Sequence, residues 1–540
     1  MTSKANNSYL TIRKGVMLAA LFTVQFSLLV CPAGAQAWHE YYHNRPYNLH
    51  YNSLSPTRLS YNNTRDYGVA EVGYNLQKGD FHNIDKSGDT YAIDATIGGL
   101  RQIDAFSLFG HIHYKNEQAN HQSWNSTLWL LNDNPFVLCD SVPGDATTES
   151  FDMQAAASYA FNNRLKAGIL VGLSTGNHTD QNNPRPRTTN SIVPITTGVD
   201  YQINSVWNIG LAGGISMSNM IVEYTMVQPF LDTRYFLMKG MGNYIGRSAA
   251  NEVSYQRNYN STILQTALNA EWRPAKGCVG NFLEIRYSTA SQDATDGGSS
   301  YSFIGGEYSE NGLSIHNRLQ LKPHNRVLHN VFINATQKNG KGIWYDQKRT
   351  LDQEHGGVII YEVLSKNTNY KSKRLTASLG YQLDVLRNDG RRDITVNAQV
   401  GMSSLERKQL LGDTTPKQEI QMLNLSLQAG KTLYINKVTL LAQVSGGYQS
   451  PQKQTYASGS PYTDSDNIDA VYTRRVFEFE SAQSWNIGAY ADASLPVGEK
   501  LTAGIYAGVR HHAYNGKSEY WQGYDGTHLT TIDAGAYIKF

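Results

Sequence analysis

From Asp66 to Phe540 the sequence alternates apolar and polar residues with period two, segment after segment, and no other feature narrows the fold as much. Phe151, Met153, Ala155, Ala157, Tyr159 and Phe161 alternate with Asp152, Gln154 and Ser158; Ile394, Val396, Ala398, Val400 and Met402 alternate with Thr395, Asn397 and Gln399. Successive side chains of a strand point to opposite faces, so each segment has one greasy face and one wet face. About eighteen such segments can be counted. They begin near Asp66, Tyr91, Ala105, Phe151, Arg164, Ile192, Trp207, Ser261, Phe282, Tyr301, Val327, Leu375, Ile394, Leu423, Val438, Trp485, Leu501 and Leu529. No helix-period stripe is evident.

The connections alternate in length. Brief turns at 102–104, 162–163, 204–205, 322–325, 388–392, 434–437 and 496–500 are interleaved with longer links, the largest at 116–149, 223–260, 338–370 and 450–483. Segregation of loop length by parity belongs to membrane barrels. The expected fold is therefore all-β: a transmembrane antiparallel up-and-down β-barrel of about 18 strands, with 16 or 14 as alternatives, long external loops and short periplasmic turns. The closing stretch LTTIDAGAYIKF fits this wall. Ile532, Ala534, Ala536, Ile538 and Phe540 share one face, Asp533, Gly535, Tyr537 and Lys539 the other, and the strand is expected to pair with the segment near Asp66. Aromatic residues near segment ends, among them Tyr67, Phe161, Trp207, Tyr287, Tyr448, Trp485 and Tyr514, suit an interfacial girdle.

At the N-terminus, Lys4, Arg13 and Lys14 precede the apolar run Val16 to Val30 and a small-x-small site at Ala33-Gly34-Ala35, the pattern of a cleaved secretory signal over 1–35. Residues 36–65 read as a periplasmic or lumenal arm, and 66–540 as the barrel. The leader holds three of the 47 Lys and Arg and none of the 45 Asp and Glu, so the mature chain is nearly neutral and no nucleic-acid partner is indicated. A mean hydropathy of −0.45 is acceptable, because a barrel wall needs only alternate residues to be apolar.

Several stretches are candidates for chemistry. His39-Glu40-Tyr41-Tyr42-His43 matches the H-E-x-x-H zinc pattern. That chemistry needs a buried helix and a third ligand, and Pro46 follows almost at once, so the match reads as coincidence, with metal capture by the arm as the alternative. His111 and His113 on one strand, and Arg510 and His512 on another, face inward near the external rim as lumen or mouth candidates; scattered solvated side chains are the plainer reading. The loop 224–244 is unusually apolar, with Phe230, Tyr235, Phe236, Met238 and Met241, and is expected to constrict the lumen, cap the mouth or meet a partner. Cys139 and Cys278 fall on opposite sides of the apolar band and are not expected to pair. No acid, base and nucleophile set indicates an enzyme, and no cofactor is expected.

The signal, the wall segments and the closing AGAYIKF resemble a family of Bacteroidota outer-membrane β-barrels of unknown function. The resemblance implies residence in the outer membrane of a Gram-negative cell, contact with its lipid, and insertion by the barrel-assembly machinery with Phe540 as the assembly signal. TonB-dependent receptors resemble the chain less, since 36–65 is too short for their plug domain. The function expected is a channel or transporter passing small solutes. The alternative is a non-transporting scaffold or partner subunit of a secretion or nutrient-, metal- or haem-capture complex, held through the long external loops.

Overall fold

A computed structural model describes residues 49–540 apart from 51–52, 62–65, 228–233, 249–253, 275–277, 299–300, 325, 353–357, 411–414, 458–467 and 516–526. The leader, most of the arm with His39 and His43, and Phe230 lie outside the described residues.

The strands in chain order are β1 (Tyr67–Gly79), β2 (Asp89–Ile103), β3 (Phe106–Gln122), β4 (Leu138–Asp140), β5 (Gly144–Ala160), β6 (Leu165–Asp180) and β7 (Pro186–Gln202). Next come β8 (Trp207–Thr225), β9 (Arg234–Gly240), β10 (Asn243–Ser248), β11 (Ser254–Trp272), β12 (Val279–Gly298), β13 (Tyr301–His324) and β14 (Val327–Asp352). The last are β15 (Val358–Leu386), β16 (Arg392–Gln409), β17 (Lys417–Ile435), β18 (Val438–Ala457), β19 (Ser484–Pro496), β20 (Thr502–Tyr514) and β21 (His528–Lys539). All but β4, β9 and β10 form one 18-stranded antiparallel sheet. It closes where β21 pairs with β1, with Val69 opposite Lys539 and Gly79 opposite Leu529. The eighteen segments read from the sequence are the wall strands, and neither smaller strand count applies.

Alternation sets the two faces. On β21, Ile532 and Ile538 point outward while Tyr537 and Lys539 are buried inside the wall. Leu211, Leu268, Val444 and Ile505, all exposed, belong to an apolar belt that is stable only against lipid. Phe161, Trp207 and Trp485 are exposed near strand ends, as a girdle requires, whereas Tyr287 and Tyr448 are exposed near the middle of β12 and β18. Tyr67 and Tyr514 depart from the expected girdle. Parity puts Tyr67 on the inner face of β1, packed with Val69, Leu100 and Tyr537, and Tyr514 packs on Phe81.

Two stretches differ from the sequence reading. Most of 338–370 is not loop: β14 and β15 run 26 and 29 residues and pair from Val327–Val385 to Asp352–Val358. Their ladders with β13 and β16 end at Glu307–Ile343 and Tyr370–Gln409, so the hairpin stands beyond its neighbours as a two-stranded ribbon. The link between β18 and β19 contains a short helix, α1 (Arg474–Glu480), preceded by a π-helical turn over Asp469–Thr473.

Candidate functional site

The space inside the wall is occupied at two heights. Near the short turns lies the arm, whose Pro56–Tyr61 forms a 3-10 turn. Gly168 of β6 lets it approach: a Cβ there would stand 2.9 Å from the Thr57 amide nitrogen. Ser53 Oγ and the Leu54 amide donate to Glu284 at 2.7 and 3.1 Å, and Thr57 Oγ1 donates to Asp200 at 2.5 Å. Arg58 donates from Nη1 to Glu271 at 3.1 Å and from Nη2 to Asn269, with Nε 3.4 Å from Asp200. Its guanidinium also lies 4.8 Å from the Phe282 ring centre. His50 Nε2 is 3.1 Å from Glu271. Burial, against the opposing hydrogen bond to Glu271, lowers the His50 imidazole to about 4. The arm thus supplies partners for three buried wall carboxylates, which would be costly to leave unpaired.

Near the long loops lies a plug built from the β3–β5, β8–β11 and β18–β19 connections. Strand β9 pairs with β4 on one edge and β10 on the other. Tyr235 and Leu237 pack with Leu138 on Met220, Val222, Tyr255 and Tyr259 of the wall. The opposite face of β9, Phe236 and Met238, packs on Trp124, Cys139 and Ile468. Met241 joins Leu131 and Phe136 against Tyr308 and Tyr370, and Phe477 of α1 rests on Leu405, Ile420 and Met422. The plug therefore packs against wall strands from β8 round to β17.

Ion pairs fasten it. Arg257 and Asp296 meet through two bonds of 2.6 Å with both side chains wholly buried. Arg257 Nη1 and Tyr259 Oη both donate to the Phe136 carbonyl, at 3.4 and 2.9 Å. Arg407 donates to Asp133 at 2.8 Å and to Glu480 at 2.5 Å, and Arg374 donates to Asp133 at 2.7 Å. One guanidinium thus clamps two plug segments to the wall. Burial pushes the Asp133 carboxyl up, but Arg407 and Arg374 outweigh it and hold it at about 2. On the inner face of β14–β17 the side chains at mid-height are neutral and polar, and Asn334, Thr336, Ser378, Gln399, Asn424 and Ser426 line a pocket of about 240 Å³ there, whereas Asp152 of β5 places a charge on the inner face elsewhere in the wall.

The residues singled out from sequence are distributed as follows. Tyr235, Phe236, Met238 and Met241 lie inside the plug. His111 and His113 sit on the inner face of β3 with ring centres 6.5 Å apart, and His111 Nδ1 is 3.9 Å from Asp152. Arg510 and His512 are on the inner face of β20, with β21, β1 and β2 intervening, so the two groups are not brought together. The ring of His512 packs on Phe81 and its Nε2 is 2.8 Å from Ser484 Oγ. Among the described residues no group of three His, Cys, Asp or Glu is placed to hold a metal ion. Cys139 is buried in the plug, which pushes its thiol well up, Cys278 is exposed, and the two do not form a disulfide. Asp133, Arg257, Asp296, Arg407 and Glu480 were not singled out; no local motif marks pairs lying 274, 73 and 39 positions apart.

No curated protein matches the sequence. Solved structures similar to the chain include the BauA ferric preacinetobactin receptor of Acinetobacter baumannii, at 10% identity over 88% of this chain and 80% of that one, TM-score 0.36. The RagAB peptide importer in its closed-closed state gives 8% identity, 88% and 87% coverage and a TM-score of 0.41. The copper transporter OprC gives 8% identity, 86% and 82% coverage and a TM-score of 0.37. Likeness this remote carries no information on substrate. A family model described as a family of unknown function, DUF6850, matches residues 56–540, from the lumenal turn of the arm to the last residue, and the chain belongs to that family.

Proposed function

We propose that this chain is a gated channel or transporter for small polar solutes in the outer membrane of a Gram-negative bacterium, held here in a closed arrangement. The observation that carries the reading is a neutral polar pocket on the inner face of β14–β17 beneath a plug fastened by ion pairs. A wall of 18 strands is wide enough for an aqueous lumen. A clasp such as Asp133–Arg407–Glu480 can be undone without breaking the wall. On this reading the short turns face the periplasm, the long loops face outward, and the barrel-assembly machinery inserts the chain. It involves no enzymatic step and no cofactor.

Liposome swelling with neutral sugars and amino acids of graded size tests the proposal. Truncating one partner of a buried charge pair costs about 2–5 kcal/mol, so the Arg374→Ala/Arg407→Ala variant is expected to admit solute at least about tenfold faster than wild type, up to a size limit. Absence of entry through either protein, with both folded, overturns it. The packed mouth also favours a second reading, a non-transporting barrel partner of a capture or secretion complex docked through the external loops and the β14–β15 ribbon. A partner that copurifies while the lumen of both proteins stays sealed selects that reading.

A further inference from the structure

The lipid-facing side of the wall carries a basic row that solute passage does not use. Lys341 on β14 stands directly opposite Lys371 on β15, Lys371 opposite Lys408 on β16, and Lys408 opposite Lys417 on β17. All four are on the outer face. Stepping along the strands in twos leads from them to Ile333, Leu379, Met402 and Leu425, exposed apolar residues of the belt. Lys373 lies one outward position nearer the belt, and Lys453 on β18 faces Gln421.

Only part of this charge is balanced. Glu406 takes up Lys408 at 2.5 Å and Lys417 at 3.4 Å, and Glu419 takes up Lys453 at 2.7 Å and Lys417 at 3.2 Å. Among the described residues no ion pair involves Lys341 or Lys371, and Glu406, which stands opposite Lys373 in the ladder, is engaged by Lys408 and Lys417. Glu307, two residues beyond the Ser309 that faces Lys341, is engaged by Lys366 at 3.0 Å. Like charges directly opposite one another destabilise a sheet, so the row costs stability unless an anion sits against it.

The height of the row identifies the anion. Leu375 is the outward apolar residue of β15 nearest to it. At about 3.4 Å per residue and a tilt of about 40°, Lys373 and Lys371 stand roughly 5 and 10 Å above Leu375, and Lys341, Lys408 and Lys417 roughly 16 Å above Ala335, Met402 and Leu423, the nearest outward apolar residues of their own strands, so the row spans the layer of lipid headgroups and the sugars above it. Four lysines at about 4.8 Å per strand span roughly 14 Å, too far for one phosphodiester headgroup and within reach of two phosphates at the ends of a disaccharide. We propose that the row formed by Lys341, Lys371, Lys408 and Lys417, with Lys373 below it, binds the phosphates of a lipid A-type glycolipid in the outer leaflet. The proposal rests on the outer-membrane location given above and not on solute passage.

The test is equilibrium binding to the full chain in mild detergent, with lipid A bisphosphate, dephosphorylated lipid A and phosphatidylglycerol as probes. Wild type is expected to favour the bisphosphate over both others. The Lys341→Gln/Lys371→Gln/Lys373→Gln variant is expected to lose roughly a hundredfold in affinity for it, at about fivefold per lysine. Unchanged affinity in that variant, or phosphatidylglycerol bound as tightly as the bisphosphate, overturns the proposal. Lys371→Glu provides a second check, because it places a carboxylate between Lys341 and Lys408. It is expected to raise the thermal midpoint in lipid-free detergent while weakening bisphosphate binding; a lower midpoint with binding retained overturns the like-charge argument. None of these lysines faces the lumen, so failure of solute entry in wild type would remove the channel and leave this site standing.

Discussion

Asp140 lies in the plug with only 6% of its surface exposed, its carboxylate accepting from the Val142 amide at 3.0 Å and from Ser126 Oγ at 3.5 Å. Burial, reinforced by Asp180 and opposed by those hydrogen bonds, pushes the carboxyl up from 3.8 to about 7. Between those two values the docked plug holds a proton that the undocked plug has released. Its stability therefore falls as pH rises through the window and stays low above it. The expected outcome is a plug that is tighter at pH near 5 than near 8, seen as slower solute entry and a higher thermal midpoint. His50 has the opposite sense, since its lowered imidazole weakens arm docking as pH falls from 6.5 towards about 4. The difference between wild type and Asp140→Asn isolates the plug contribution. An Asn variant that keeps the full wild-type pH dependence would assign the effect to another group.

At the scale of elements, the arm and the plug hold the lumen by different chemistry. The arm docks on a few buried charges, and Arg58 reaches Asp200, Asn269 and Glu271 alone. Arg58→Ala leaves two wall carboxylates without that cation, at a cost of about 3–5 kcal/mol, and is expected to release the arm while the wall stays closed. A Leu59→Cys reporter, placed where Leu59 packs near Tyr67 and Val69, is then expected to react with maleimide far faster than in the Arg58 parent; equal labelling would mean that other contacts hold the arm. The wall was legible in the sequence because lipid on one side and water on the other force period two upon every strand. The β14–β15 ribbon was not, because beyond the membrane both faces meet water and the ladder continues without that constraint. In β9 the run Tyr235, Phe236, Leu237 and Met238 is buried on both faces, which removes alternation altogether. Helix α1 spans seven residues, too few for a stripe to register. The clasp residues were invisible for a further reason: Arg407, Asp133 and Glu480 meet only after the barrel has closed.

For the molecule as a whole, the step that makes a sheet into a barrel is the meeting of the two ends of the wall. The seam is completed by Phe540, whose amide donates to the Gly68 carbonyl at 3.0 Å and whose carbonyl accepts from the Gly68 amide at 2.7 Å. Its ring lies over Gly68, where any Cβ would collide with it. Phe540 could therefore matter in two ways, as a packed part of the seam or as the signal read during insertion, and the two separate experimentally. Gly68→Val disturbs the packing and leaves the C-terminal residue in place. Phe540→Ala removes the ring and leaves Gly68 free of strain. If Phe540 is the assembly signal, Phe540→Ala lowers the amount of barrel inserted in the outer membrane, whereas Gly68→Val inserts at the wild-type level but unfolds at a lower temperature in detergent. Equal insertion of both variants, with both unfolding early, would make Phe540 a seam residue only. Fractionated membranes give the amount inserted, and loss of heat-modifiable migration in detergent gels gives the unfolding temperature.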